Sequence, residues 1–401
     1  VRIELDDDVI RVRDELRAHI AANRPSLRRL PGTRSPRRED LAEFRAWCAS
    51  LFEGGFLGHD WPVEWGGAGR LDPVRELVVD QELANADVPR PVGAYNLVAG
   101  PLMEFGTPEQ QRYYLPRIRR FDDLWCQLFS EPSAGSDLAA LRTRARKEGD
   151  HWIIDGQKVW TTHGHVADLG FLLARTDPTV SKHAGITAFI VDMGSPGIDV
   201  RPLREITGST DFNEVFFDGV AVPGANVLGE IGQGWSITRA ALAHERTQAM
   251  REDSVVDAAQ RLVALASRER LDGVVPWSSD ETRRRIGRLA ARAWVTDQLG
   301  VQGVLAAARG EDSDPVAAAV MKLVFSELNL EISTLGVDLQ GAAGVIVEGD
   351  EHAVDHGHWQ ESFLWARGYT ISAGSNEIMK NVIAERGLGM PREVQPARTE
   401  A

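Results

Sequence analysis

Cysteine is scarce in this 401-residue chain: only Cys48 and Cys126 occur, far apart. That excludes a disulfide framework and a cysteine-rich metal site, and a reducing cytoplasm is the expected setting. No uninterrupted apolar run approaches the ~18 residues that a membrane-spanning helix needs. The first residues, VRIELDDDVI, are acidic and lack the basic-then-apolar order of a signal peptide. Positive charge is not in excess: 45 − 59 gives −14, against the basic face that nucleic acid requires. Lysine is rare, at five of 45 basic positions (Lys147, Lys158, Lys182, Lys322 and Lys380). We read that bias as the mark of a GC-rich genome more than of a chemistry. What is present is 43% hydrophobic residues, enough for a large soluble core. At roughly 150 residues per domain the length implies two or three domains.

Along the chain the order is α, then β, then α. Val9, Val12, Leu16 and Ile20 recur at helical spacing, as do Leu41, Phe44, Trp47 and Leu51 after Ser35-Pro36. Asp72-Pro73 and Thr107-Pro108-Glu109-Gln110 open further helices, the second with capping-box spacing. From about residue 125 turns crowd together. His151–Ile154 and Gln157–Trp160 flank Asp155-Gly156, which predicts a hairpin, and Glu214–Phe217 runs into a second Asp-Gly turn at Asp218-Gly219. Phe171–Ala174 and Ile186–Val191 are further strands, and the density of turns points to an antiparallel β domain. Long helices follow near 235–268, 280–309 and 315–341, the last opening at Asp314-Pro315, and a final one runs from Asn376 to about Arg386. The expected domains are 1–124 helical, 125–233 β and 234–401 a helical bundle.

Two segments carry the sharpest chemistry. Phe129 to Asp137, FSEPSAGSD, offers hydroxyls and unpaired N–H groups where helix gives way to strand. It reads either as a capped turn or as a seat for an anionic ligand. Val159 to Gly164, VWTTHG, places a Trp beside two hydroxyls, suited to stacking on a planar group or to half-burial in the core. His352, His356 and His358 lie close together, but Ala, Val and Asp intervene rather than a base; we read them as a polar loop or helix end and expect no metal. Gly229, Gly232 and Gly234 have the wrong spacing for a dinucleotide fingerprint.

Together these segments resemble the acyl-CoA dehydrogenase family, FAD flavoproteins that desaturate acyl-CoA thioesters between Cα and Cβ. The resemblance runs through Gly58–Gly69, Gly106–Gln111, Ser130–Asp137, Gly156–Thr162 with Ala167-Asp168, Phe212–Trp235, and Gly374–Ile378 with Ala384–Arg386. It implies a helical domain, a middle antiparallel barrel or sandwich, and a four-helix bundle.

By the same resemblance, Ser130 faces flavin N5 and O4, with the backbone of Gln127 and Phe129 beside the ring. Ser136 reaches the pyrophosphate and the CoA side, Trp160 flanks the ring, and Thr162 lies near N5. Arg283 matches an arginine that reaches FAD phosphate across a subunit interface, although three arginines in a row also suit a solvated face. Ser375 and Glu377 close over the cofactor. Many members place their base just before the signature glycine, where this chain has Ala373. The isovaleryl- and long-chain-type members use a Glu-Arg pair in a later helix, which implies Glu245 as base here, with Arg246 and the Ala373 N–H on the substrate side. Asp338 stands where several members have a glutamine that touches FAD.

The implied partners are an acyl-CoA substrate, an electron-transferring flavoprotein as acceptor, and further subunits in a homotetramer or heterotetramer. Two alternatives are a flavin-dependent monooxygenase of the same fold and the catalytic subunit of a heteromeric dehydrogenase. The acyl group stays open among fatty, branched, steroid and biosynthetic chains.

Overall fold

The computed structural model describes residues 5–27, 36–69, 72–89, 97–242, 254–268, 273–311 and 314–392. The chain divides into two compact units, Val1–Asp253 and Ser254–Ala401.

The first unit opens with helices α1 (Asp7–Asn23), α2 (Leu41–Glu53), α3 (Pro73–Asn85), α4 (Ala99–Phe105) and α5 (Pro108–Arg119). Local signals set their starts. Asp72 accepts from Arg75 N at 3.0 Å, with Pro73 at the first helical position. Thr107 and Gln110 complete a reciprocal capping box at 3.2 and 3.0 Å. α2 starts later than Ser35-Pro36 suggests: a short 3-10 turn, Arg38–Asp40, precedes Leu41, and Ser35 lies outside the described residues. Leu16, Ile20, Trp47, Leu51, Phe52 and Leu83 join α1, α2 and α3 in one apolar cluster, while Leu102 of α4 and Leu115 of α5 belong to another.

Eight strands follow: β1 (Trp125–Leu128), β2 (Arg144–Glu148), β3 (His151–Lys158), β4 (Leu169–Arg175), β5 (Ile186–Asp192), β6 (Ile198–Pro202), β7 (Asn213–Pro223) and β8 (Val227–Leu228). Their order is β6-β7-β3-β2-β4-β5-β8, with β1 also on β4. Most pairs are antiparallel, but β1 and β2 both run parallel to β4. β4 and β5 are buried on both faces, which explains their continuous apolar runs. Phe171, Leu173 and Ala188 face the cluster that includes Leu115 and Leu102, whereas Leu172, Ala174 and Phe189 face one with Trp152 and Val215. A helical stretch at 234–242 packs Ile237 and Ala241 onto the first of these clusters.

The two Asp-Gly pairs are not hairpin turns. The hairpin lies earlier, where Glu148 pairs His151 around Gly149 at φ +58°. β3 and β7 each continue through their Asp-Gly, pairing with each other on both sides, and the register shifts there. Asp155 accepts from Gly219 N at 3.0 Å across this bulge. The strands that flank each glycine find partners elsewhere in the sheet, so an irregularity within two long strands replaces a local reversal.

The second unit holds α6 (Val255–Ala266), α7 (Asp280–Ala308), α8 (Pro315–Gln340), α9 (His358–Ile371) and α10 (Asn376–Val382), which ends in a π-helical turn, Ile383–Gly387. α8 packs against each of the other four and buries Leu328, Ile332 and Leu335 with Leu262, Ile286 and Trp359. At Gly336 a Cβ would lie 2.0 Å from the Trp359 ring, so the indole occupies the space a side chain would take. Gly336→Ala is expected to lower stability by ~1–3 kcal/mol through overpacking. Gly287→Ala, on α7 with nothing within 4 Å of its Cβ, should raise it by roughly 0.5–1 kcal/mol. Urea midpoints of the two variants check this, and equal shifts would contradict it.

Candidate active site

β4 gives one edge to β5 and the other to β1, then to β2 at Arg144–Arg175. The sheet is therefore continued along one edge by two strands, and the segment 129–143 bridges them. This is the FSEPSAGSD loop. Its anchor is a buried ion pair. Lys158, at the end of β3 and fully buried, donates from Nζ to Glu131 Oε1 at 2.9 Å and to Phe129 O at 3.0 Å. Glu131 also accepts from Arg142 N at 2.6 Å and Thr143 N at 2.8 Å. Its backbone exchanges two hydrogen bonds with Ala134 at 3.1 and 3.0 Å, and Val159 N donates to Ser130 O at 2.9 Å. Phe129 packs edge-on against Phe171. Gln127 and Ser130 are half-buried above this anchor, and Ser136 is exposed.

Burial pushes the Lys158 ammonium down to about 8, against the upward pull of Glu131. Burial alone would raise Glu131, but the Lys158 charge and the donated hydrogen bonds outweigh it and hold the carboxyl below its ordinary range.

Two residues beyond Lys158 the backbone turns left-handed. Trp160 has φ +61° and is 61% exposed. A bulky residue there costs on the order of 1–3 kcal/mol, which surrounding bonds must hold. They do: Val159 N is fixed to Ser130 O, while Thr161 N donates to Asn213 O at 3.0 Å and Asn213 Nδ2 returns a bond to Thr161 O at 2.9 Å. The indole meets Phe212 edge-on at 5.9 Å. Thr162 is half-buried beside it. The structure thus brings Gln127, Phe129, Ser130, Trp160 and Thr162 to neighbouring strand ends.

In the second unit, Ala373 is also left-handed, at φ +52°, and leads through Gly374 into Ser375, whose Oγ caps α10 by accepting from Ile378 N at 3.4 Å. Glu377 is exposed, and its carboxyl is held below the usual range by its own N–H and the Ser375 hydroxyl. Under this turn Asn376 is buried and accepts from Lys322 Nζ at 3.0 Å and Ser326 Oγ at 2.8 Å. Arg283 donates to Trp277 O at 2.6 Å and pairs with Asp280, so its guanidinium is engaged at its own helix start. Asp338 lies 3.4 Å from Arg285. His356 sits in a left-handed kink before α9, which His358 opens, and His352 is exposed. Glu245 and Arg246 lie outside the described residues.

The sequence reading gave Glu131, Lys158, Lys322 and Asn376 no role. A signal was available: two of only five lysines are buried beneath these loops in a chain that otherwise uses arginine.

Three comparisons bear on this geometry. The acyl-CoA dehydrogenase N-terminal, middle and C-terminal domain family models match residues 12–122, 126–220 and 232–388. The chain is 37% identical over 395 residues to acyl-CoA dehydrogenase IpdE1 of Mycobacterium tuberculosis, covering 97% of this chain and 99% of that one. It is 39% identical over 344 residues to acyl-CoA dehydrogenase FadE34 of the same organism, spanning 86% of this chain and 46% of FadE34. Among solved structures, the Tcur3481-Tcur3483 steroid ACAD superposes with a TM-score of 0.83 at 30% identity, covering 98% of this chain and 100% of that one. The ChsE4-ChsE5 complex of M. tuberculosis gives the same four values. The chain belongs to the acyl-CoA dehydrogenase family. It is accordingly an oxidoreductase of the flavin-dependent class that acts on CH–CH bonds.

Two predictions follow from the buried lysines. Glu131→Gln strands the Lys158 charge and should cost about 3–5 kcal/mol, whereas adding Lys158→Met should recover most of it. Chemical denaturation of the single and double variants tests this, and equal losses would argue against a coupled pair. Lys322 is lowered from 10.5 to about 8, chiefly by burial. Between those values the unfolded chain binds more protons, so this group makes stability rise with pH across the window and weakens it as pH falls toward 8. Lys322→Met should flatten that part of the stability curve; an unchanged slope would contradict the assignment.

Proposed function

We propose that the chain oxidises an acyl-CoA thioester to its trans-2-enoyl-CoA with FAD. The observation that carries the reading is the Trp160–Ser130 seat. An exposed indole sits on a left-handed backbone, tied through Val159 to the segment that carries the half-buried Ser130 and the exposed Ser136. The residues fit the flavin. Trp160 offers a flat apolar wall, and the Ser130 hydroxyl and N–H, with Thr162, offer donors for ring heteroatoms. The exposed Ser136 beside Gly135, where a Cβ would meet nothing within 4 Å, leaves room for a pyrophosphate. In this reading Arg283 serves the phosphates of a neighbouring subunit's cofactor, and Ser375 and Glu377 take the cofactor-binding roles that the resemblance implies. When bound, the flavin supplies the two-electron acceptor for the β-hydrogen.

The chain's own part is proton and charge handling. Glu245 takes the α-proton, for which a dry pocket that raises a carboxylate from ~4.3 would suit it. Arg246, the next residue in the chain, is assigned to the substrate by the same resemblance. The side chain of Ala373 accepts no proton, but its N–H supplies a donor to the thioester carbonyl as negative charge grows there. An electron-transferring flavoprotein is the acceptor that this reading implies. A steroid-derived acyl group, and a second chain completing a heteromeric enzyme, are the readings supported by relatives entitled Tcur3481-Tcur3483 steroid ACAD and ChsE4-ChsE5 complex. Tetrameric assembly and a cytoplasmic location belong to the same proposal; among the described residues no helix is long and apolar enough to cross a membrane.

The test is a flavin spectrum of the purified protein, followed by anaerobic bleaching with straight-chain, branched and steroid acyl-CoAs. Glu245→Gln should keep flavin and ligand binding while reduction by substrate slows at least ~10²–10⁴-fold. Reduction as fast as in the parent removes Glu245 as base. Oxygen consumption with supplied reduced flavin, and no bleaching by any acyl-CoA, would replace the dehydrogenase reading with a monooxygenase. Trp160→Gly relieves the left-handed strain, so apoprotein stability should hold or rise while flavin content falls; unchanged content would remove Trp160 from the seat.

A further inference from the structure

Lys158 does more than neutralise Glu131. One of its hydrogens goes to Phe129 O at 3.0 Å, and that carbonyl shares a single planar peptide with the N–H of Ser130. Any neutral donor would satisfy the carbonyl. A buried ammonium is the costly choice, because its desolvation must be offset by good partners. Arginine, which fills 45 − 5 = 40 of the basic positions, would bring five donors to a site whose carboxylate already holds two backbone amides. The site therefore selects a compact point charge, placed against one particular carbonyl.

A charge-assisted hydrogen bond to a peptide oxygen draws density from the amide nitrogen and makes the N–H on the far side a stronger donor. Both Lys158 and the Phe129 side chain are buried, so little water screens the effect. The Ser130 N–H has no acceptor among the described residues, and Ser130 itself is half-buried. Glu131 keeps the pair near neutral overall, so the field is directed along the 129–130 peptide rather than spread through the core.

We propose that Lys158 is a positioning residue that polarises the Phe129–Ser130 peptide, making the Ser130 N–H an activated donor for a ring whose negative charge increases on reduction. The inference rests on the flavin reading above and deepens it. A stronger donor at that place favours the reduced over the oxidised ring, so Lys158 raises the tendency of the bound cofactor to accept an electron pair.

The measurement is the midpoint potential of the flavin-loaded protein by dye-equilibrated reductive titration. Glu131→Gln with Lys158→Met keeps the shape and removes both charges. It should retain oxidised flavin but bind the reduced form about tenfold less favourably relative to the oxidised one, a fall of about 30 mV for a two-electron couple. Glu131→Gln with Lys158→Gln, which keeps a neutral donor for Phe129 O without leaving a buried carboxylate unpaired, gives a second reading of the same fall if the first double variant does not fold. Flavin-loaded variants whose potential equals the parent's would overturn the inference and leave the flavin reading intact. A parent that takes up no flavin would overturn both.

Discussion

A buried ammonium ion governs the architecture around the candidate site. Lys158 lies at the end of β3, yet its hydrogens reach the exit of β1 and the turn after it. Water is excluded there, so the charge stays only if the loop supplies its partners in fixed places. That requirement orders the segment 129–143, and through Val159 it fixes where Trp160 begins its left-handed turn. The seat is thus shaped from beneath, by groups that do not themselves face outward.

The second unit repeats the device with different chemistry. Lys322 reaches Asn376, a neutral acceptor shared with Ser326, under the turn that carries Ala373 and Gly374. Here too a left-handed residue, Ala373, stands in the turn that leads into a buried lysine's partner, Asn376. Around Trp160 the strained backbone is over-determined by hydrogen bonds at Val159, Thr161 and Asn213, the arrangement that keeps a sparsely populated conformation in a single state.

The sequence disclosed what is local. Asp72-Pro73, the Thr107 capping box and Asp314-Pro315 mark helix starts because the signal and the structure lie within a few residues of each other. Apolar runs marked β4 and β5 because both faces are buried. What it hid is long-range. Asp155-Gly156 and Asp218-Gly219 look like turns until each strand's partner is known, and that partner is the other Asp-Gly strand. Glu131 and Lys158 belong to separate motifs 27 residues apart, and neither motif alone says that they meet. The choice of Glu245 came from the resemblance and the loss of a carboxylate at position 373, not from any geometry around it.

The edge that β1 and β2 share on β4 has a consequence for evolution by insertion and deletion. The chain leaves and rejoins one sheet edge, and Ala145 must return facing the core while Arg144 and Arg146 face out. A net change of one residue that reached β2 would exchange those faces. Most of the intervening loop has no slack to absorb it: positions 129–131 and 134 are tied by hydrogen bonds, and so are 139 and 141–143. Only around Gly135, where a Cβ meets open space, is there freedom for added length. Relatives that differ in the size of this loop should carry the difference there, so the indel record of the family would map the unpinned part of the seat.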